Sequence, residues 1–315
     1  MSKRLVLIDG HAILHRAYHA LPPLTNRSGE LVNAVYGFCT ILLKVIEDLK
    51  PEYLAVAFDT PKPTFRHQEY VGYQAQRPKM DTELASQIEG VHLVLKAFGV
   101  PIFEKPGYEA DDLIGTLAEK SKKKKNLEVV IVSGDRDLFQ LVDKRVKIYV
   151  PIHGLSEAQM FGEKEVAEKM GVKPCQIVDY KGLVGDASDN YPGVPGIGPK
   201  TAVALLKKYQ TLAGVYRSAD KIQSQAVKEK LKNNRESAFL SLKLARVITN
   251  VPIKFDWEKM PLANYKNPKA IEVLQTFGFK SLVNRLSGGR AKDRKKNDLG
   301  ALERKKKETI QESLF

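Results

Sequence analysis

Cysteine is scarce in this sequence, with only Cys39 and Cys175 among 315 residues. The two lie far apart and lack metal-type spacing, which argues against a disulfide scaffold or a cysteine zinc site and suits a reducing compartment. No apolar run approaches the roughly 20 residues needed to cross a bilayer, so no membrane-spanning role is expected. The opening "MSKRLVLIDG" goes straight into a strand-like run too short for a signal-peptide core, and a cytoplasmic, nucleoid-associated protein is expected. Acids are in the minority too: 37 Asp and Glu against 51 Lys and Arg leave a formal net charge of +14. Such a field favours a polyanionic partner.

The acids that are present are not spread evenly. "YEADDLIG" puts Glu109, Asp111 and Asp112 within four positions before the chain turns apolar. One such cluster has an ordinary explanation, because acids in a first helical turn complement the helix dipole. The same design recurs, however. "RLVLIDG" leads to Asp9, "YLAVAFDT" to Asp59, and "EVVIVSGDRD" to Asp135 and Asp137. Each apolar run reads as a buried strand, and helical patterns lie between them at Ala34–Leu49, Asp81–Phe98 and Glu109–Lys123.

That alternation predicts an α/β domain with a mainly parallel central sheet flanked by helices. Ligands of such sheets bind beyond the carboxyl ends of the strands, so three strands ending in Asp aim them at one rim. "GDASDN" adds Asp186 and Asp189, three apart as on one helical face. Hard carboxylate oxygens suit Mg²⁺ or Mn²⁺. Two such ions about 3.5–4 Å apart activate a water and stabilise a leaving oxygen in phosphodiester hydrolysis. Bound metal would offset the repulsion among the acids; without it, several are expected to have raised pKa values.

Other segments point to nucleic acid. "GVPGIGPKTA" presents Gly193, Gly196 and Gly198 before a helix that starts near Lys200 and Thr201. It is not a P-loop, because Pro199 separates Gly198 from Lys200, and a hairpin gripping a duplex phosphate backbone fits better. Pro61–Met80 is a long, basic and aromatic excursion carrying Arg66, Tyr70, Tyr73, Arg77 and Lys79, a mixture suited to single strands. His11, His15 and His19 fall four apart, but without the Glu of a zinc helix motif or a nearby Cys they make a poor metal site. Arg16, following the Asp9 strand, is placed to reach a phosphate. We expect a nuclease core over residues 1–160, a helical duplex-binding region over 161–286, and a basic tail over 287–315.

Taken together, "LVLIDGHAILHRAYHALPPL", "AVAFDTPKPTFRHQEY", "GYEADDLIGTLA", "VVIVSGDRDLFQLV" and "KGLVGDASDNYPGVPGIGPKTA" closely resemble the 5′-nuclease domain of bacterial DNA polymerase I and the wider flap endonuclease family, over about residues 1–286. The resemblance implies a PIN-like fold and a metal-dependent 5′-nuclease that removes RNA primers and 5′ flaps. It implies that Asp9, Asp59, Glu109, Asp111 and Asp112 hold a first metal, and that Asp135, Asp137, Asp186 and Asp189 build the side of a second. By the same likeness, the hairpin is a helix–three-turn–helix element with a K⁺ ion, residues 61–80 enter a helical arch, and Arg16 and Arg77 contact the scissile region.

Where that family usually reads Tyr-Lys-Ala-x-Arg, this chain has "YQAQR", so Gln74 takes the place of a lysine expected to stabilise transition-state charge. Lys79 or Arg66 is the expected substitute cation. The ending "QESLF", with Gln311, Ser313, Leu314 and Phe315, resembles a bacterial sliding-clamp-binding peptide on a basic linker. The expected partners are DNA with 5′ flaps, nicks or RNA primers, together with the clamp, for a monomer. Gln74 keeps a second reading open, that of a catalytically weak flap or junction binding protein. An RNA-directed nuclease of related fold is a third.

Overall fold

The computed structural model describes residues 3–152 and 157–288. Its centre is one six-stranded sheet: β1 (Lys3–Asp9), β2 (Tyr53–Ala57), β3 (Ile102–Phe103), β4 (Leu127–Val132), β5 (Val146–Pro151) and β6 (Ala158–Phe161). The order is β3-β2-β1-β4-β5-β6, parallel throughout except for the β5–β6 pair. β1 is covered on both faces, which is why it reads as an unbroken apolar run. Its pleat sends Leu5 and Leu7 into one core and Val6 and Ile8 into the other.

The first core is covered by the helix Ala110–Ser121 and by helices Ile177–Val184, Pro199–Tyr209, Leu212–Arg217 and Arg235–Ala245. The second lies beneath helices Gly10–Ala20, Asn33–Leu49 and Ile88–Ala97. Helices Pro268–Thr276 and Lys280–Leu286 return to this second face, where Leu274, Phe279 and Leu282 share a cluster with Val6 and Ile8. The packing therefore does not follow the expected division at 161–286: the end of that segment belongs with the sheet, because its apolar stripe is buried there.

Gln87 explains another departure. The helix expected over 81–98 is two pieces, Thr82–Ala85 and Ile88–Ala97. Between them the buried Gln87 amide turns inward, and its oxygen accepts the backbone N–H groups of Ala34 at 2.8 Å and Val35 at 3.3 Å. It thus caps Asn33–Leu49, whose own N-cap, Val32, has no side-chain acceptor.

β1 has β2 on one side and β4 on the other, so the chain reverses its direction of travel across the sheet there. A crevice opens at the carboxyl ends of such strands. The backbone at its mouth is tightly built. A Cβ on Gly10 would lie 2.5 Å from the Phe58 ring, so only glycine lets β1 pass straight into the next helix. Asp9 caps that helix by accepting the Ala12 N–H at 3.0 Å.

Candidate active site

Asp9 ends β1 and is 5% exposed. One of its oxygens caps the following helix, and the other accepts from the Ser133 hydroxyl at 2.8 Å. The Ser133 oxygen in turn accepts the Asp135 N–H at 3.0 Å, and Asp135 accepts the Asp137 N–H at 2.7 Å. The loop after β4 is thus strung to the end of β1. Asp59, just beyond β2, accepts the Ala110 N–H at 2.7 Å, which ties it to the start of the helix that carries Asp111. His11 turns its Nδ1 to the Asp59 N–H at 3.1 Å, so that ring nitrogen is an acceptor; burial lowers the imidazole's pKa.

Crowding of these acids has the expected electrostatic result. Burial pushes Asp9 up to about 7, with Asp59 and Asp135 adding to the effect. Burial likewise raises Glu109 to about 7, and it raises Asp111 strongly, helped by Asp135 and Asp9.

A second group faces the first across the crevice. Asp137, Asp186 and Asp189 each bring a carboxylate oxygen within 4.8 Å of the other two. Burial raises Asp137 to about 7 despite the Lys181 ammonium, which donates to both Asp137 and Asp186. Burial works the same way on Asp186, but there Lys181 outweighs it and the carboxyl lies below its ordinary value. The donor set fits a hard divalent cation, and the lysine wedged between two of its members shows that the position demands positive charge. A cleft of about 440 Å³ is lined by Asp135, Asp137, Asp186 and Asp189 together with Gln76, Arg77 and Pro78.

The glycine hairpin lies directly downstream. Gly196, Gly198 and Lys200 are exposed, and helix Pro199–Tyr209 begins with Gly198 as its N-cap and no side chain satisfying its first N–H groups. Thr201 is half-buried in that first turn. Gly193 is different: it is buried, its φ is +63°, and a Cβ would stand 2.2 Å from the Gly185 nitrogen. Its N–H and carbonyl are taken by the hydroxyls of Ser241 and Ser237. The expected role in DNA contact is therefore corrected to that of a packing glycine that lets the hairpin sit on its support.

Residues 4–171 match the 5′-3′ exonuclease N-terminal resolvase-like domain, and residues 172–268 match the 5′-3′ exonuclease C-terminal SAM fold. The chain belongs to the 5′-3′ exonuclease family. A 5′-3′ exonuclease of Aquifex aeolicus is 39% identical over 281 residues, covering 89% of this chain and 94% of its own. DNA polymerase I of Bacillus subtilis is 40% identical over 284 residues, 90% of this chain but 32% of the polymerase. The chain thus spans about a third of the length of the polymerases it matches. The bacteriophage T5 flap endonuclease, solved in complex with DNA and metal ions, superposes with a TM-score of 0.65 at 18% identity, covering 90% of this chain and 96% of its own. At that identity the likeness concerns the fold.

Three further expected site residues turn out to lie inside the protein. Asp112 is fully buried, and its two oxygens accept from Arg66 at 2.8 and 2.9 Å, from the Glu109 N–H at 3.1 Å and from the Ile248 N–H at 2.8 Å. A carboxylate offers about four acceptor sites, and all four are filled, so the expectation of Asp112 as a metal ligand is corrected. Arg66 is 2% exposed and also donates to the carbonyls of Leu244 and Arg246. It offers no surface to DNA and no mobile charge in place of the missing lysine.

Tyr73, 3% exposed, puts its hydroxyl 3.3 Å from both Glu109 and Asp189, bridging the two acid groups rather than stacking on a base. Lys79 is exposed, as a contact to a strand requires. Arg16 donates to the Ile152 carbonyl at 2.5 Å.

Sequence reasoning missed Lys181, Ser133 and the pairing of Arg66 with Asp112. Only Lys181 had a signal, a basic residue one turn before the "GD" of "GDASDN" on a helix that ends at Val184. Arg66→Ala is expected to destabilise the protein by about 3–5 kcal/mol, because it strands a buried carboxylate. Urea unfolding at pH 7 measures this, and a loss below about 1 kcal/mol would contradict it.

Proposed function

We propose that this chain is a metal-dependent 5′-3′ exonuclease and structure-specific 5′-flap endonuclease acting on DNA. The observation that carries the reading is the convergence of Asp9, Asp111 and Asp135 with the Asp137–Asp186–Asp189 group at the crevice where the sheet reverses. Asp9, Asp59, Glu109 and Asp111 would hold one divalent ion, and Asp135, Asp137, Asp186 and Asp189 a second. Mg²⁺ or Mn²⁺ in these places would supply Lewis acidity and an activated water.

The chain's own groups supply the rest. Arg77, which lines the same cleft, would take the charge of the scissile phosphate. Gly196, Gly198, Lys200 and Thr201 offer backbone N–H groups and positive charge to the downstream duplex, gripping phosphates without reading bases. A K⁺ ion at the hairpin belongs to the same proposal; the Gly196 carbonyl there accepts from the Lys230 ammonium at 3.1 Å. Lys79 borders the path of the 5′ strand. The proposed substrates are 5′ flaps, nicks and RNA primers, handled by a monomer in the cytoplasm. Gln311, Ser313, Leu314 and Phe315, proposed to bind a sliding clamp, lie outside the described residues.

The neutral Gln74 favours one rival, a flap-binding protein that cuts poorly. Single-turnover assays on a 5′-labelled flap separate the two. We expect cleavage near the junction with Mg²⁺ or Mn²⁺ and none with chelator. Tight flap binding with no cutting in either metal would leave the rival standing.

A further inference from the structure

Gln74 has more to do than fill a lysine's place. It is one of the few non-glycine residues with positive φ, at +53°. That left-handed conformation is sterically unfavourable for an L-residue and persists where surrounding contacts fix it. Apart from bonds within its own turn, to the Tyr73 hydroxyl and from the Arg77 N–H, those contacts lead to one loop. The Gln74 N–H donates to the Asp189 carbonyl at 2.9 Å, and the side-chain Nε2 donates to Asp189 Oδ1, also at 2.9 Å. From the other direction, the Asn190 amide donates to the Gly72 carbonyl at 2.7 Å. Tyr73, on the same turn, reaches the second Asp189 oxygen at 3.3 Å. Two stretches more than a hundred residues apart are thus laced together around one carboxylate of the Asp137–Asp186–Asp189 group.

We infer that Gln74 is a positioning residue for the metal centre: its amide and its backbone N–H latch the 72–77 turn onto Asp189 and aim that carboxylate at Asp137 and Asp186. The inference rests on the proposed reading of those three acids as metal-holding. A neutral donor suits the task better than a cation would. The trio already contains the Lys181 ammonium, which donates to Asp137 and Asp186 but has no bond to Asp189. Of the three, Asp189 alone is spared a direct lysine partner. An ammonium at position 74 would contend with a divalent ion for that oxygen, whereas an amide orients it and leaves its charge intact. The lost lysine and the retained acids are then parts of one arrangement, in which Gln74 favours occupancy of the centre and Arg77 faces the substrate.

Mn²⁺ binding to the full chain without DNA, followed by calorimetry or by loss of the free-ion resonance signal, tests this apart from turnover. Gln74→Gly removes the amide but suits the left-handed backbone, so stability should hold or rise. Gln74→Met keeps the side chain's bulk without the donor. Groups that orient metal ligands typically contribute 10–100-fold to affinity, and both variants should lose about tenfold or more at the weaker Mn²⁺ site. Without metal, thermal unfolding should change little in Gln74→Gly, where relief of the left-handed backbone offsets the lost hydrogen bond, and should fall modestly in Gln74→Met, which has no such offset. Affinities within about twofold of the natural chain in both variants would overturn the latch. Asp189→Asn separates the underlying reading: if it too leaves Mn²⁺ binding unchanged, the trio is not a metal centre and both ideas fall together.

Discussion

Asp137→Asn is expected to slow single-turnover flap cleavage by about a thousandfold, while flap binding weakens by less than about tenfold. Asp137 sits where both acid groups meet. It is linked through Asp135 and Ser133 to Asp9, and its oxygens lie within 4.8 Å of Asp186 and Asp189. An amide there cannot hold a divalent ion with the charge a carboxylate supplies, and metal stabilisation of transition-state charge amounts to several kcal/mol. About 4 kcal/mol corresponds to the thousandfold loss. Binding should survive because the hairpin at Gly196–Lys200 and the exposed Lys79 are untouched.

The control is Asp112→Asn, the same chemical change at the buried residue directly after Asp111. It should cost stability, since a buried guanidinium loses its partner, yet the folded fraction should cut at a rate far closer to the natural chain. Quench-flow cleavage beside urea unfolding reads both. A thousandfold loss in Asp112→Asn at unchanged stability would make Asp112 a ligand after all.

That contrast shows where the sequence was legible. Strand ends were, because a parallel strand buried on both faces must be an unbroken Val, Ile and Leu run, and Asp9, Asp59 and Asp135 mark where each run stops. The start of the helix Pro199–Tyr209 was too, because closely spaced glycines before a helix advertise open N–H groups. Direction across the fold was not. "EADD" fixes the first turn of a helix, but only the arrival of Arg66 and of the backbone at Ile248 decides that Asp112 points inward and Asp111 toward the crevice. Tyr73 and Arg66 look like a basic, aromatic surface in the excursion and become core, because the segment folds back onto the helix Arg235–Ala245 instead of standing clear. The C-terminal helices pack on the far face for the same kind of reason: their apolar stripe is visible in sequence, but its partner is not.

The charge arrangement also sets a pH dependence that bound metal opposes. In the folded chain Asp9, Glu109 and Asp137 are pushed up to about 7 and Asp111 is raised as well, whereas unfolded carboxyls titrate near 4. Between about pH 4 and pH 7 the folded state therefore holds more protons than the unfolded one, and stability falls as pH rises through that window. With chelator present, the melting temperature should be higher at pH 5.5 than at pH 8. Divalent ions at the proposed sites would need the acids deprotonated, so their affinity should rise with pH. At a hundred times the dissociation constant they add about 2.7 kcal/mol. For a chain of this size that is a rise of about 4 °C, expected at pH 8 and nearly absent at pH 5.5. Asp137→Asn removes one raised carboxyl and one ligand together, so it should flatten both trends. Scanning calorimetry at the two pH values, with EDTA and with Mn²⁺, measures all of this. A metal-induced rise of equal size at both, or a chelated chain that grows more stable toward pH 8, would mean that these acids are not competing with protons for a cation. The repulsion that limits the chain without metal is, on this account, the same free energy that draws the metal in.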